Sequence, residues 1–435
     1  MRFSRIALSV ALAAAWGPAA GADLLNIYRD ALVSDSAYQA ARAQYEATRE
    51  RLPQARSGYL PLITGSANIF QNDIAFERVP DQRYSTHTYA VTLSQPVFRM
   101  QNWIAISQAD KQVIQAQATL YGQAQELALR VSQAYFDVLL AQDNVALSGA
   151  QKVAISEQLA QAKRNFEVGT STIVDTLEAQ ARYDQSVAKE IADINDLEVR
   201  KRLLTVILGK LPDGLVPLRD PLQLAEPKPN NPEEWVKVAN DGSYAVAVAR
   251  AGYEIAQEEI SRQRAGHLPT VDLSASYANA YDPTTSTLLG STTKSGVVGL
   301  TLSIPIFQGG LTQSRVREAV ALRDKASQDL ENTQRIVSQT VHQQFLNVTS
   351  GIAQVRALEQ ALASTQSQLD STILGRDVGV RTSVDVLNAQ QQVFQTRRDL
   401  QQARYNYLLY GLRLKAAAGL LAEPDIEEVN RALAR

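Results

Sequence analysis

Apolar and polar residues alternate in four places along the chain. Ile63, Gly65, Ala67 and Ile69 share one parity, against Thr64, Ser66 and Asn68 on the other. His87, Tyr89, Val91 and Leu93 oppose Thr88, Ala90, Thr92 and Ser94. Val271, Leu273, Ala275 and Tyr277 oppose Asp272, Ser274 and Ser276, and Val298, Leu300, Leu302 and Ile304 oppose Val297, Gly299, Thr301 and Ser303. A period of two over such lengths predicts strands. The small hydroxyl-rich face suits the water side of a membrane barrel and equally the wet side of a soluble sheet. Polar, turn-rich segments, Asp73–Ser85 and Asp282–Ser295, join the two predicted pairs.

Elsewhere the period is seven. Val113, Leu120, Leu127, Ala134 and Ala141 recur at that spacing, as do Ala124, Val131, Val138 and Val145. Val341, Val348, Val355, Leu362 and Leu369 repeat it further on. Sustained heptads predict coiled-coil packing. Trp103 to Phe166 holds no proline, so the first long helix is a rod on the order of 95 Å at 1.5 Å per residue. It breaks at Glu167–Thr170 and resumes from about Ile173 to Leu208. Pro212, Pro217, Pro221, Pro227 and Pro229 exclude regular helix from the next stretch.

These patterns occur twice. GTSTIVDTLEAQ (Gly169–Gln180) returns as GVRTSVDVLNAQ (Gly379–Gln390), offset by 210 residues. Gly58-Tyr59-Leu60-Pro61 returns as Gly266-His267-Leu268-Pro269, and Ser94–Phe98 returns as Ser303–Phe307. The expected organisation is an export signal at 1–22, a first repeat at 23–209, a proline-rich connector at 210–232, a second repeat at 233–421 and a tail at 422–435. The strand pairs fall at about 59–98 and 269–307, and the tips at about 167–172 and 376–383.

The signal expectation rests on Arg2 and Arg5, the apolar run Ile6–Ala15, and Ala20-Gly21-Ala22 before Asp23. Without Arg2 and Arg5, 41 basic residues remain against 45 acidic, a net charge of −4 that gives no reason to expect a nucleic-acid partner. Cysteine is absent, which excludes disulfides and a lipid-anchored N-terminal cysteine. No apolar run after the signal is long enough for a spanning helix, so a membrane role requires strands. Four strands cannot close a barrel, since membrane barrels begin at about eight, and three chains together supply twelve. His87, His267 and His342 have no metal-ligand spacing, and neither a nucleophile elbow nor a phosphate loop is present. No cofactor, metal site or catalytic residue is expected. Trp103 is read as an anchor where strand passes to helix.

The chain resembles the TolC-type outer-membrane efflux and secretion channels. The resemblance covers essentially the whole chain after the signal. It is carried by the repeated helix-strand-strand-helix plan, Gln95-Pro96-Val97-Phe98 running on to Trp103, and Ala134–Leu139. The tip VGVRTSVDVLNAQ and the tail Ala403–Leu421 are its most specific parts. It implies an α+β membrane protein: a homotrimer whose twelve-stranded barrel in the outer membrane continues into a helical coiled-coil tunnel across the periplasm. It further implies a passive exit duct for type I secretion or multidrug efflux. Its periplasmic tip opens when an adaptor (membrane fusion protein) and an inner-membrane ABC or proton-driven transporter dock. The competing reading is a soluble periplasmic coiled-coil scaffold or adaptor.

By the same resemblance, Asp385 is expected at the pore constriction. Asn388 stands where the family often has a second aspartate, with Glu178 at the corresponding place in the first half. Arg381 is expected to latch the closed state against Asp175. Arg376 replaces the family's second latch residue, a tyrosine, and either joins Asp175 or is solvated. Val168, Gly169 and Thr170, with Val378, Gly379 and Val380, are the expected adaptor-contact tips.

Overall fold

The computed structural model describes residues 22–75, 77, 81–212, 214–283 and 291–433. The expected signal lies outside them except for Ala22. Two compact units are formed, one from residues 40–122 and 240–338, the other from residues up to 39, 123–239 and 339 onward.

The first unit holds the sheet. β1 (Leu62–Ile74), β2 (Gln82–Phe98), β3 (Thr270–Asp282) and β4 (Ser291–Ser303) lie in that order, each antiparallel to its neighbour. The register aligns the alternating faces across all four strands. Ile63, Leu93, Ala275 and Val298 form one row, and Gly65, Val91, Tyr277 and Gly296 the next-but-one. On the opposite face, Ser66, Ala90, Ala278 and Ser295 form a row of small residues. The apolar rows stay open: Ile69 is 74% exposed and Val298 77%. Among the described residues, β1 and β4 each have a single strand neighbour, so each leaves one ladder edge unpaired. The strands run further than the sequence implies. β2 begins at Gln82 and β4 at Ser291, both inside the expected connectors. Polar residues there give no hydrophobic alternation, yet the ladder continues through Ile74↔Gln82 and Asp282↔Ser291.

Where β2 hands over to helix, a bulge shifts the register between Pro96 and Phe98. Tyr59 packs against Trp103 with ring centroids 4.7 Å apart and ring planes tilted by 55°, and its hydroxyl donates to the Arg99 carbonyl (2.9 Å). Arg99 also pairs with Asp272 of β3 at 3.0 Å. Helices α2 (Ser36–Arg49) and α3 (Arg51–Ser57) precede β1, and α6 (Pro232–Gly242) precedes α7 (Tyr244–Arg264). The start of α4 (Met100–Glu167) runs beside α7 in this unit. They are joined by Lys111–Glu254 (2.7 Å) and by Gln108 Nε2 donating to Glu259 (2.9 Å).

The second unit is helical: α1 (Leu24–Ser34), the end of α4, α5 (Ile173–Leu208), the end of α8 (Leu311–Asp377), α9 (Ser383–Ala417) and α10 (Glu423–Arg431). Its core follows the heptads. Leu127, Val131, Val138 and Ala141 of α4 are buried, as are Val341, Val348 and Val355 of α8. Tyr135 and Phe136 meet edge-on, and Phe136 meets Tyr405 of α9. Among the described residues, 210–212 and 214–231 contain no helix, and side chains from the helices fix this stretch. The Tyr135 hydroxyl donates to the Val216 carbonyl (2.8 Å). Tyr407 Oη accepts from the Ala225 N–H (2.8 Å) and donates to its carbonyl (3.0 Å). Buried Arg404 reaches Asp220 (3.2 Å) and Glu359 (3.0 Å). The tail expected at 422–435 contains α10, with Ile426 buried.

Candidate functional site

The expected site residues cluster where α4 turns into α5 and α8 turns into α9. Gly169 (φ 77°) and Gly379 (φ 82°) end the long helices in the left-handed conformation that side chains with a Cβ rarely adopt. The turns close with the same bonds. Gly169 N–H donates to Phe166 (3.0 Å) and Thr170 N–H to Asn165 (2.8 Å), while Gly379 N–H donates to Arg376 (3.0 Å) and Val380 N–H to Gly375 (2.8 Å). Val168, Val378 and Val380 are left exposed at the apices.

Each returning helix starts with a capping box. Asp175 N–H donates to Thr172 Oγ1 (3.3 Å), while Asp175 Oδ2 accepts from the Thr172 N–H (3.0 Å), the Thr172 hydroxyl (2.9 Å) and the Ser171 hydroxyl (3.0 Å). Asp385 N–H donates to Thr382 Oγ1 (3.1 Å), and Asp385 Oδ2 accepts from the Thr382 N–H and hydroxyl (2.9 Å each). Both carboxyls are held below the usual aspartate value, first by the threonine N–H, then by its hydroxyl. Ser171 adds to this at Asp175, and the charge of Arg381 adds to it at Asp385. The two aspartates are thus ionised helix-start residues, with Oδ1 of each outside the cap.

Within one chain the two arginines have other partners. Among the described residues of one chain, Arg376 does not pair with Asp175 and is not free in solvent. Its Nη1 donates to Gln158 (3.2 Å) and Gln161 (3.3 Å) of α4, and its Nη2 to Asp377 (2.8 Å). The reason is reach: Arg376 is on the last turn of α8, beside α4, whereas the Asp175 carboxylate already serves its own cap. Among the described residues of one chain, Arg381 forms no ion pair with Asp175 either. The Arg381 stem instead lies over Gly375, where an added Cβ would fall 2.8 Å from Arg381 Cγ. Asn388 and Glu178 are brought together by a residue the sequence pattern does not single out. Arg182 of α5 donates to Asn388 Oδ1 (3.2 Å) and Gln391 Oε1 (3.0 Å) of α9, and its Nε lies 3.3 Å from Glu178. The only signal was the broken echo, since Arg182 corresponds to Gln392. Beneath these groups Ile155, Leu159, Ala162, Ala179 and Leu387 pack together with Tyr183, fastening α4, α5 and α9 to one another.

The arrangement offers charged and apolar groups on tight helical turns. The sequence pattern of the family described as outer membrane efflux protein matches residues 27–210 and 235–420. The chain belongs to that family. It is 33% identical over 435 residues to the outer membrane protein TolC of Vibrio cholerae, covering 99% of this chain and 97% of that one. It is 30% identical over 416 residues to the alkaline protease secretion protein AprF of Pseudomonas aeruginosa, covering 93% and 86%. Its fold matches the outer membrane protein VceC from Vibrio cholerae (TM-score 0.77, 17% identity, 91% and 96% covered) and the Campylobacter jejuni CmeC outer membrane channel (0.79, 14%, 100% and 98%). An outer membrane efflux protein is an outer-membrane transport protein, not an enzyme, and the soluble-scaffold reading falls with the match. Among the described residues no helix is long and apolar enough to cross a membrane, which says nothing of strands.

Proposed function

We propose that this protein is the passive outer-membrane exit duct of a secretion or efflux system, assembled from three chains. The observation that carries this reading is the sheet: among the described residues, four strands with one apolar face bare and both edges unpaired. In lipid an open edge leaves backbone groups unsatisfied, so the strands need neighbours from other copies. Three chains give twelve strands, with the hydroxyl-rich rows toward water and the apolar rows toward lipid. The two similar halves stem from duplication, and the heptad helices of the three chains line a periplasmic tunnel.

In this account the tips close the duct. Asp385 and Asn388 face the narrowest point, with Glu178 beside them. Arg381 latches onto the Asp175 cap of a neighbouring helix pair, a charge-assisted contact that docking of an adaptor and an inner-membrane transporter breaks. The exposed apices at Val168–Thr170 and Val378–Val380 receive the adaptor. Export is powered by the transporter. The relatives include both a protease secretion protein, AprF of Pseudomonas aeruginosa, and an outer membrane efflux protein, BepC of Brucella suis.

The test is assembly. Extracted from outer membranes in mild detergent, the protein is expected to have the mass of three chains. A monomer in that extract would refute the shared barrel.

A further inference from the structure

Arg182 bridges the two returning helices at the level of Asn388. Its guanidinium donates to Asn388 (3.2 Å) and Gln391 (3.0 Å) on α9 and lies 3.3 Å from Glu178 on its own helix. Asn388 lies one turn beyond Asp385 on the same helix face. Whatever space Asp385 and Asn388 border, the Arg182 charge borders it too.

We propose that Arg182 is a selectivity-determining residue of the constriction, holding a permanent positive charge beside Asn388 that offsets Glu178. The proposal rests on the reading that the Asp385 face lines the duct. A guanidinium stays protonated at any working pH. Among the tip residues named above, each chain therefore brings four carboxylates, Asp175, Glu178, Asp377 and Asp385, against three guanidiniums, Arg182, Arg376 and Arg381. One negative charge per chain remains; without Arg182 two would remain. In a narrow aqueous constriction, fixed charges act on passing ions far more strongly than on an open surface, because low-dielectric walls focus the field. The carboxylate of Glu178, which holds in the first half the place of Asn388 in the second, is thus offset where it stands. The duct discriminates on Asp385 alone, and weakly.

The bland alternative is that Arg182 merely ties α5 to α9. Two variants separate charge from tie. Arg182→Gln removes the charge, while Arg182→Lys keeps the charge and loses the planar two-nitrogen grip on Asn388 and Gln391. The experiment measures reversal potentials of the full-length protein and both variants in planar bilayers under a KCl gradient, after each is shown to match the wild-type oligomeric mass. Arg182→Gln is expected to raise the potassium-to-chloride permeability ratio by about twofold or more, with Arg182→Lys at the wild-type value. The proposal is overturned if Arg182→Gln keeps the wild-type reversal potential, or if Arg182→Lys shifts as far as Arg182→Gln. It is also overturned if both variants raise resting conductance without moving the reversal potential, the signature of a tie alone. Wild-type protein that opens no pore at all would instead remove the duct reading beneath it.

Discussion

Asp175 and Asp385 do two things with one side chain. Oδ2 of each closes a helix cap, and the ionised carboxylate gives the tip its negative charge. Both pKa values are lowered by the cap bonds from the ordinary 3.8. The sign follows directly. A carboxyl whose folded value lies below its unfolded value contributes stability above the unfolded value and loses it as pH falls through the folded one. Cation preference and tip helicity are therefore expected to stay flat from about pH 7 to about pH 5 and to decline only below about pH 4. Reversal potentials and circular dichroism across that range check this, and a midpoint near neutrality would contradict it.

At the scale of elements, the turns matter most. The α8–α9 turn has a feature its partner lacks: Gly375, under the Arg381 stem, stands where the α4–α5 turn has Asn165. Gly375→Ala has to displace Arg381 or the turn. If Arg381 is the latch, Gly375→Ala and Arg381→Ala should both raise resting single-channel conductance, by about twofold or more, with oligomeric mass unchanged. Normal resting conductance in both variants would remove the latch role. The turns were legible in the sequence because Gly169 and Gly379 meet a backbone requirement that few other residues can meet. The long helices were legible because Leu127, Val131, Val341 and Val348 keep the heptad in register. Strand ends were not, since residues 82–86 pair through backbone groups that leave no trace in hydrophobicity. Nor were the roles of Arg376 and Arg182: an arginine reaches several ångströms, and the glutamines and asparagine it meets belong to other helices. The connector was legible only as an absence of helix. That Tyr135, Tyr407 and Arg404 fix it depends on contacts up to 184 residues apart in the chain.

For the whole molecule, the sheet and the tip make complementary demands. In the proposed duct, the bare apolar face of β1–β4 meets lipid, and the edges left open among the described residues pair with other copies. In the proposed three-chain duct, two similar halves present six near-equivalent helix pairs around one axis, and we place the gate where the halves differ: Glu178 against Asn388, Arg182 against Gln392, Thr170-Ser171 against Val380-Arg381. A tube of six identical pairs has no reason to close at one kind of contact, whereas two alternating kinds can hold and release each other. The most direct test of the account is single-channel recording of the purified full-length protein in a planar lipid bilayer. Discrete, uniform conductance steps, low at rest because the tip is closed, are the predicted result. Protein that enters the bilayer as three-chain particles and yields no steps, even with Arg381→Ala, would contradict it.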